Sequence, residues 1–280
     1  MKKEYLSWQL LLKDLQIKII MNNIFDDIIY LLTNFWSYYL MGLASTLILA
    51  IFGTVVGLFL GVLLAFGRNI KINKNRRMIT QFYKYPIIWF CSAYSTIIRG
   101  TPMMVQAMIF KYTCQIVFKV NWNLILPGVP VFDGWMIAGL VVITFNTAAY
   151  MCEIVRSGLN GVDNGQIEGA KSLGFTSLQT LFLVALPQAI KNSLPTIGSE
   201  FIVNIKDSSV LNVIGVTELY LQAQNSSYDG GYRTFASYII IAIIYLICTL
   251  LANVVLNVLE RKLDGKIIFS FLHSNKIKEI

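Results

Sequence analysis

The sequence predicts an all-α integral membrane protein: a helical bundle with five core spans and an N-terminal interfacial helix. Three observations predict it. Only 14% of the 280 residues are charged, against about 25% in soluble domains. The mean hydropathy is +0.62. Residues 28–67 hold no charged residue at all, and about 20 apolar residues suffice to cross the hydrocarbon. The net charge of +8 is spread over short basic stretches between apolar runs. That is the pattern of membrane orientation signals rather than of a nucleic-acid-binding patch.

Residues 1–34 mix lysines with Trp8, Leu11, Leu12 and Leu15. No apolar core precedes a small-residue cleavage site, so a removable signal peptide is not expected. Either an amphipathic interfacial helix or a poorly ordered leader fits this composition. The first span is placed at 40–66, with Tyr30, Trp36, Tyr38 and Tyr39 at the outer interface. Gly53, Gly57 and Gly61 recur every fourth position, a stripe that lets another helix approach closely. The cluster Arg68, Lys71, Lys74, Arg76, Arg77 and Lys84 belongs in the cytoplasm by the positive-inside rule, which puts the amino terminus outside.

The second span is placed at 89–112, containing Arg99 and Pro102, and residues 119–134 form a turn-rich outer loop. A third span at 135–155 returns inward. Residues 157–186 are the least membrane-like interior segment and predict a cytoplasmic loop around a short helix. Spans at 192–213 and 238–256 follow, with 217–234 outside. Arg261, Lys262 and Lys266 then hold the carboxyl end inside, in agreement with the first basic cluster. The domain reading is thus an N-terminal segment 1–34, a membrane domain 35–262 and a cytoplasmic tail 263–280.

Composition also excludes chemistry. Cys91, Cys114, Cys152 and Cys248 have neither metal-ligand spacing nor a disulfide framework and read as small apolar side chains. His273 is the only histidine and lies in a polar tail, which leaves no histidine-based catalysis. No catalytic or metal-ligating set is expected. There is no GxxxxGK[ST] phosphate loop.

The loop Gly165-Gln166-Ile167-Glu168-Gly169-Ala170-Lys171-Ser172-Leu173-Gly174, followed by Leu186-Pro187-Gln188-Ala189, resembles the "EAA" loop of ABC import permeases. Flanking boxes narrow the resemblance to the polar amino-acid uptake permeases of histidine/glutamine type. They are Thr46-Leu47, Arg99-Gly100-Thr101-Pro102 with Gln106, Asn146 to Tyr150, Glu153 to Gly158, Glu200-Phe201, Lys206 to Ser209, Ile214 to Val216 and Glu218-Leu219. The ordered series covers about Leu40 to Lys262, and it implies a type I importer-like fold. One departure is Gly169, where the family usually has alanine; glycine inside a helix costs about 1 kcal/mol.

The resemblance implies a transmembrane subunit that is not itself an enzyme. It would translocate polar amino acids across a bacterial cytoplasmic membrane as a dimer with an identical or related permease. Two partner ATPase subunits would bind ATP and Mg, and an external solute-binding protein would deliver substrate. Gly165, Gln166, Glu168, Gly169, Ala170, Leu173 and Gly174 would form the ATPase-coupling loop. Gly165 and Gly174 can end its helix, and Glu168 and Lys171 are placed to pair.

Ionisable residues within spans face the bundle interior or a water-filled path by default. Glu200, Asn204, Asp207 and Ser208 share one helix face by spacing and, with Arg99 and Thr101, are the candidate substrate path. On this reading the acidic face meets the amino acid's ammonium or polar side chain; alternatively these groups only fix packing. Arg99 meets a substrate carboxylate or pairs structurally, with Asp207 as a possible gate partner. Two other readings are an ion-coupled secondary transporter and a membrane-embedded enzyme. Neither an inverted repeat nor a cluster of catalytic groups is found for them.

Overall fold

A computed structural model of the chain describes residues 23–70, 82–126 and 132–264. Residues 1–22 of the N-terminal segment, the basic residues Lys71 to Arg77, the loop prolines Pro127 and Pro130 and the tail with Lys266 and His273 lie outside the described residues. Every long element among those described is helical. Residues 23–34 form α1, followed by α2 (Trp36–Arg68), α3 (Lys84–Arg99), α4 (Met103–Ile116) and α5 (Gly134–Asn160). Then come α6 (Asn164–Ser172), the single turn α7 (Ser177–Gln179), a π-helical stretch (Thr180–Ala185) and α8 (Leu186–Asp207). A 3-10 stretch (Ser208–Ile214), α9 (Leu219–Asp229) and α10 (Thr234–Asp264) complete the order.

Among the described residues, three helices are long and apolar enough to cross a membrane: Trp36–Arg68, Gly134–Asn160 and Thr234–Glu260. They occupy the expected first, third and fifth spans. α5 is the centre of the bundle, with 72% of its most apolar window buried, whereas α10 buries only 11% and presents the rest outward. The glycine stripe explains how α2 reaches α5. A Cβ on Gly53 would lie 3.0 Å from Ile143, on Gly57 2.9 Å from Thr147, and on Gly61 2.5 Å from Met151. The two helices therefore run parallel in near backbone contact, with each glycine facing the next turn of α5.

The other two expected spans differ in kind. The segment 89–112 is not one helix: it breaks between Arg99 and Met103. Pro102 has no backbone N–H and disfavours helical geometry in the residue before it, so α3 ends on Gly100 and α4 restarts at φ −64°, ψ 136°. Gln106 repairs the break. Its Nε2 reaches the Ile98 carbonyl (2.7 Å), the Thr101 carbonyl (2.9 Å) and the Thr101 hydroxyl (2.8 Å). The fourth element is helical from Ser177, well before the expected start at 192, and leaves α geometry at Asp207 rather than at 213. Its π turn precedes Pro187, whose missing N–H leaves the preceding turn one donor short.

The described part of the N-terminal segment, α1, packs onto the bundle. Leu31 is fully buried against Leu219, Ala223 and α10, and Arg233 binds Asp27 at 2.6 Å while lying 4.0 Å over the Tyr30 ring.

The α2–α5 contact generates a prediction. Gly57→Leu forces a branched side chain into a space where even a Cβ collides with Thr147, a strain of about 1–3 kcal/mol. The detergent-purified protein is expected to melt several degrees lower, whereas Val55→Leu, at a position 62% exposed, leaves the melt unchanged.

Candidate functional site

Two regions carry the polar chemistry: a charged network within the bundle and a capped hairpin projecting from one end of it. The network centres on Glu153, in the C-terminal half of α5. Its Oε1 binds Arg68, the last residue of α2, and Arg99, the last of α3, the latter at 3.1 Å. Its Oε2 binds Arg156 at 3.1 Å, one turn on along α5. Three guanidinium groups thus converge on one carboxylate, and Arg99 also lies 5.6 Å from the Tyr150 ring centre. Arg68 and Glu153 are largely covered (side chains 14% and 23% exposed), while Arg99 and Arg156 are each 41% exposed.

Arg99 thus pairs with Glu153, and not with Asp207 as the gate reading had it. Asp207 sits on α8, and no ion pair reaches it among the described residues. Glu200 is likewise half-buried without a hydrogen bond or ion pair among the described residues, and Asp207 and Arg99 are the charges that act on it through space. Glu200, Asp207 and Arg99 thus form one electrostatic neighbourhood, centred on Glu200.

The other two residues of the expected face turn inward. Asn204 is 3% exposed. It donates from Nδ2 to Thr54 Oγ1 at 2.9 Å and accepts from Thr147 Oγ1 at 3.0 Å, which ties α8 to α2 and α5. Ser208 is fully buried and donates to the Ile205 carbonyl at 2.8 Å. The i, i+4, i+7, i+8 set spans too wide an arc for one lining; Glu200 and Asp207, two turns apart, keep the partly open side. Thr101 is exposed and serves the break, donating to the Ile97 carbonyl at 3.0 Å.

The hairpin is built from caps. Asp163 Oδ1 accepts from the Gly165 N–H at 2.7 Å and starts α6, so Gly165 lies inside the helix instead of beginning it. The other end stops on Gly174 at φ +88°. There the Gly174 N–H bonds the Lys171 carbonyl (3.0 Å) and the Phe175 N–H the Ala170 carbonyl (3.1 Å), a Schellman termination that glycine makes at no steric cost. Thr176 and Gln179 then form a capping box at the entry to α7. Ala170 is buried and Ile167 packs on the cluster of Val162, Leu159 and Ala185. Gln166, Glu168, Gly169 and Gly174 are exposed, as is Leu173 at 81%. The expected Glu168–Lys171 pair does not form, and the exposed Glu168 carboxylate has no ion pair among the described residues.

Sequence reasoning did not single out the Glu153 network. A signal existed, since Glu153 and Arg156 are i, i+3 neighbours and Arg68 falls two turns beyond Gly61 on the stripe facing α5.

Residues 82–265 match the family model described as "Binding-protein-dependent transport system inner membrane component". A putative glutamine transport system permease protein of Rickettsia bellii is 31% identical over 222 residues, covering 79% of this chain and 91% of its own. The arginine transport system permease protein of Bacillus subtilis is 32% identical over 232 residues, covering 81% and 93%. Among solved structures, the "Crystal structure of an amino acid ABC transporter with histidines" aligns at TM-score 0.67 and 35% identity, over 82% of this chain and 96% of that one.

Two outcomes follow from this geometry. Glu153→Gln leaves three arginines facing an uncharged group and is expected to cost on the order of 3 kcal/mol, read as loss of detergent-stable protein. Gly169→Ala places its Cβ where nothing lies within 4 Å, so it should stabilise α6 by about 1 kcal/mol and lower amide hydrogen exchange within 164–172.

Proposed function

Because the chain belongs to the family of binding-protein-dependent transport system inner membrane components, we propose that it is the permease subunit of an ATP-driven importer for polar amino acids. The observation that carries the reading is α6, a rigid helix capped at both ends and anchored through Ile167 and Ala170. It leaves Gln166, Glu168 and Leu173 free for a soluble partner. A segment of this kind can pass a motion from a cytoplasmic motor to helices held in lipid. It hangs from α5 and from the π turn leading into α8, so a pull on it acts on both.

The subunit is not an enzyme. ATP and Mg2+ are bound by the partner ATPase, a second permease copy, identical or related, completes the membrane unit, and a solute-binding protein delivers substrate from outside. The amino terminus lies outside and the carboxyl terminus inside, in line with the basic residues at 68–84 and 261–266. Glu200 and Asp207 line the path and favour a cationic or zwitterionic amino acid, with Arg99 available to its carboxylate. The amino-acid class is supported by the relatives, whose names specify glutamine and arginine.

Reconstitution of the complete complex with a panel of radiolabelled amino acids tests the proposal. ATP-dependent, binding-protein-dependent uptake of a polar amino acid is expected. Flux driven by an ion gradient without an ATPase would refute it. In the same assay Asp207→Asn should lower uptake about tenfold, the factor for one charge-assisted contact, while its amount in the membrane stays normal.

A further inference from the structure

We infer that Glu218 and Tyr245 are positioning residues for transport, latching the start of the outer helix α9 to α10 beside a hinge at the end of α8. The inference rests on the reading of the chain as a binding-protein-dependent permease.

Glu218 is a carboxylate with no exposed surface. Its Oε1 accepts from the Leu221 N–H at 3.0 Å and its Oε2 from the Tyr220 N–H at 2.9 Å, which caps α9. Capping alone is satisfied by these two donors. Oε2 also accepts from the Tyr245 hydroxyl on α10 at 3.0 Å. Glu218 itself stands three residues past Gly215, where a 3-10 stretch after α8 ends. One phenol thus ties α10 to the cap of α9, close to the end of that stretch.

Ser208 begins the second observation. It opens seven residues of 3-10 helix that end on Gly215 at φ +102°. Such runs seldom exceed three or four residues, and a longer one within a helical segment marks a hinge. Rewinding seven residues from about 2.0 to about 1.5 Å rise shortens the segment by roughly 3.5 Å, and the displaced end carries Asp207. On the outer side α9 cannot slide freely. A Cβ on Gly42 would meet the Leu219 Cα at 2.6 Å, and the Leu219 N–H donates to Thr46 Oγ1 at 3.2 Å. A load on α9 is therefore held at the Glu218–Tyr245 bond and reaches the 3-10 stretch through Val216 and Thr217, and so the candidate path. The sequence marked Glu218 only as part of a box; its burial and its cross-bundle bond give it this role.

The test uses the whole transporter in lipid nanodiscs with its co-purified ATPase. ATP hydrolysis is measured without and with the solute-binding protein, in glutamine or arginine. Glu218→Gln and Tyr245→Phe should each cut the binding-protein-dependent increment about tenfold. Basal hydrolysis and the amount of ATPase retained should stay unchanged. The double variant should fall no further than either single, because both act through one bond. Wild-type increments in both singles, or a double variant showing the product of two losses, would overturn the latch. If Glu218→Gln does not assemble, Tyr245→Phe, which removes one hydroxyl from a half-buried ring, decides alone. A wild-type complex that no binding protein stimulates would sink the permease reading and the latch together.

Discussion

The parallel contact of α2 on α5 sets the positions of everything else. Between helices surrounded by lipid tails, burying leucine gives little, because the tails are equally apolar; closeness of packing and hydrogen bonds decide association. Gly53, Gly57 and Gly61 supply that closeness by removing three side chains at successive turns. α5 then serves as the reference from which the remaining helices are hung. Asn146 donates to Gln106 Oε1 at the α3–α4 break (3.0 Å), and Thr147 meets Asn204 of α8. The Ile154 carbonyl accepts from Ser193 at 3.2 Å, and Glu153 gathers the ends of α2 and α3. Any shift of α2 along α5 disturbs all of these together.

The charges divide into two kinds. Glu153 is saturated by three arginines and works as a fastening, since a carboxylate so surrounded gains nothing by releasing one partner to solvent. Glu200 and Asp207 are the reverse, half-buried acidic groups with no bonded partner among the described residues. A polar solute can interact with unsatisfied groups of this sort, whereas satisfied ones offer it nothing. Arg99 joins the two sets, bonded to one and within the field of the other.

Much of this was legible in the residues. The apolar runs gave three long helices, the four-residue glycine spacing gave the close contact, and the ordered boxes gave the family. The residues also carried the two ends of α6 unequally. Gly174 read correctly because a left-handed stop has few alternatives, while Gly165 misled because an aspartate two positions earlier does the capping. The face of α8 was misjudged for a different reason. Helical spacing says which residues are neighbours, but not which side of that arc a companion helix covers, and Thr54 lies 150 positions from Asn204. The Glu153 network was hidden likewise: its arginines come from three helices, and only their packing brings them to one carboxylate.

The lengths of α2 and α10 have a mechanical consequence. At 33 and 31 residues they measure about 50 and 46 Å, against a hydrocarbon layer of about 30 Å. Neither can stand upright with all its apolar surface in the bilayer, so each must lean, and a thinner bilayer makes it lean further. α2 ends in Arg68, so its tilt bears directly on the grip around Glu153. Bilayer thickness thereby becomes a variable to which the charged heart of the protein responds, with no ligand involved.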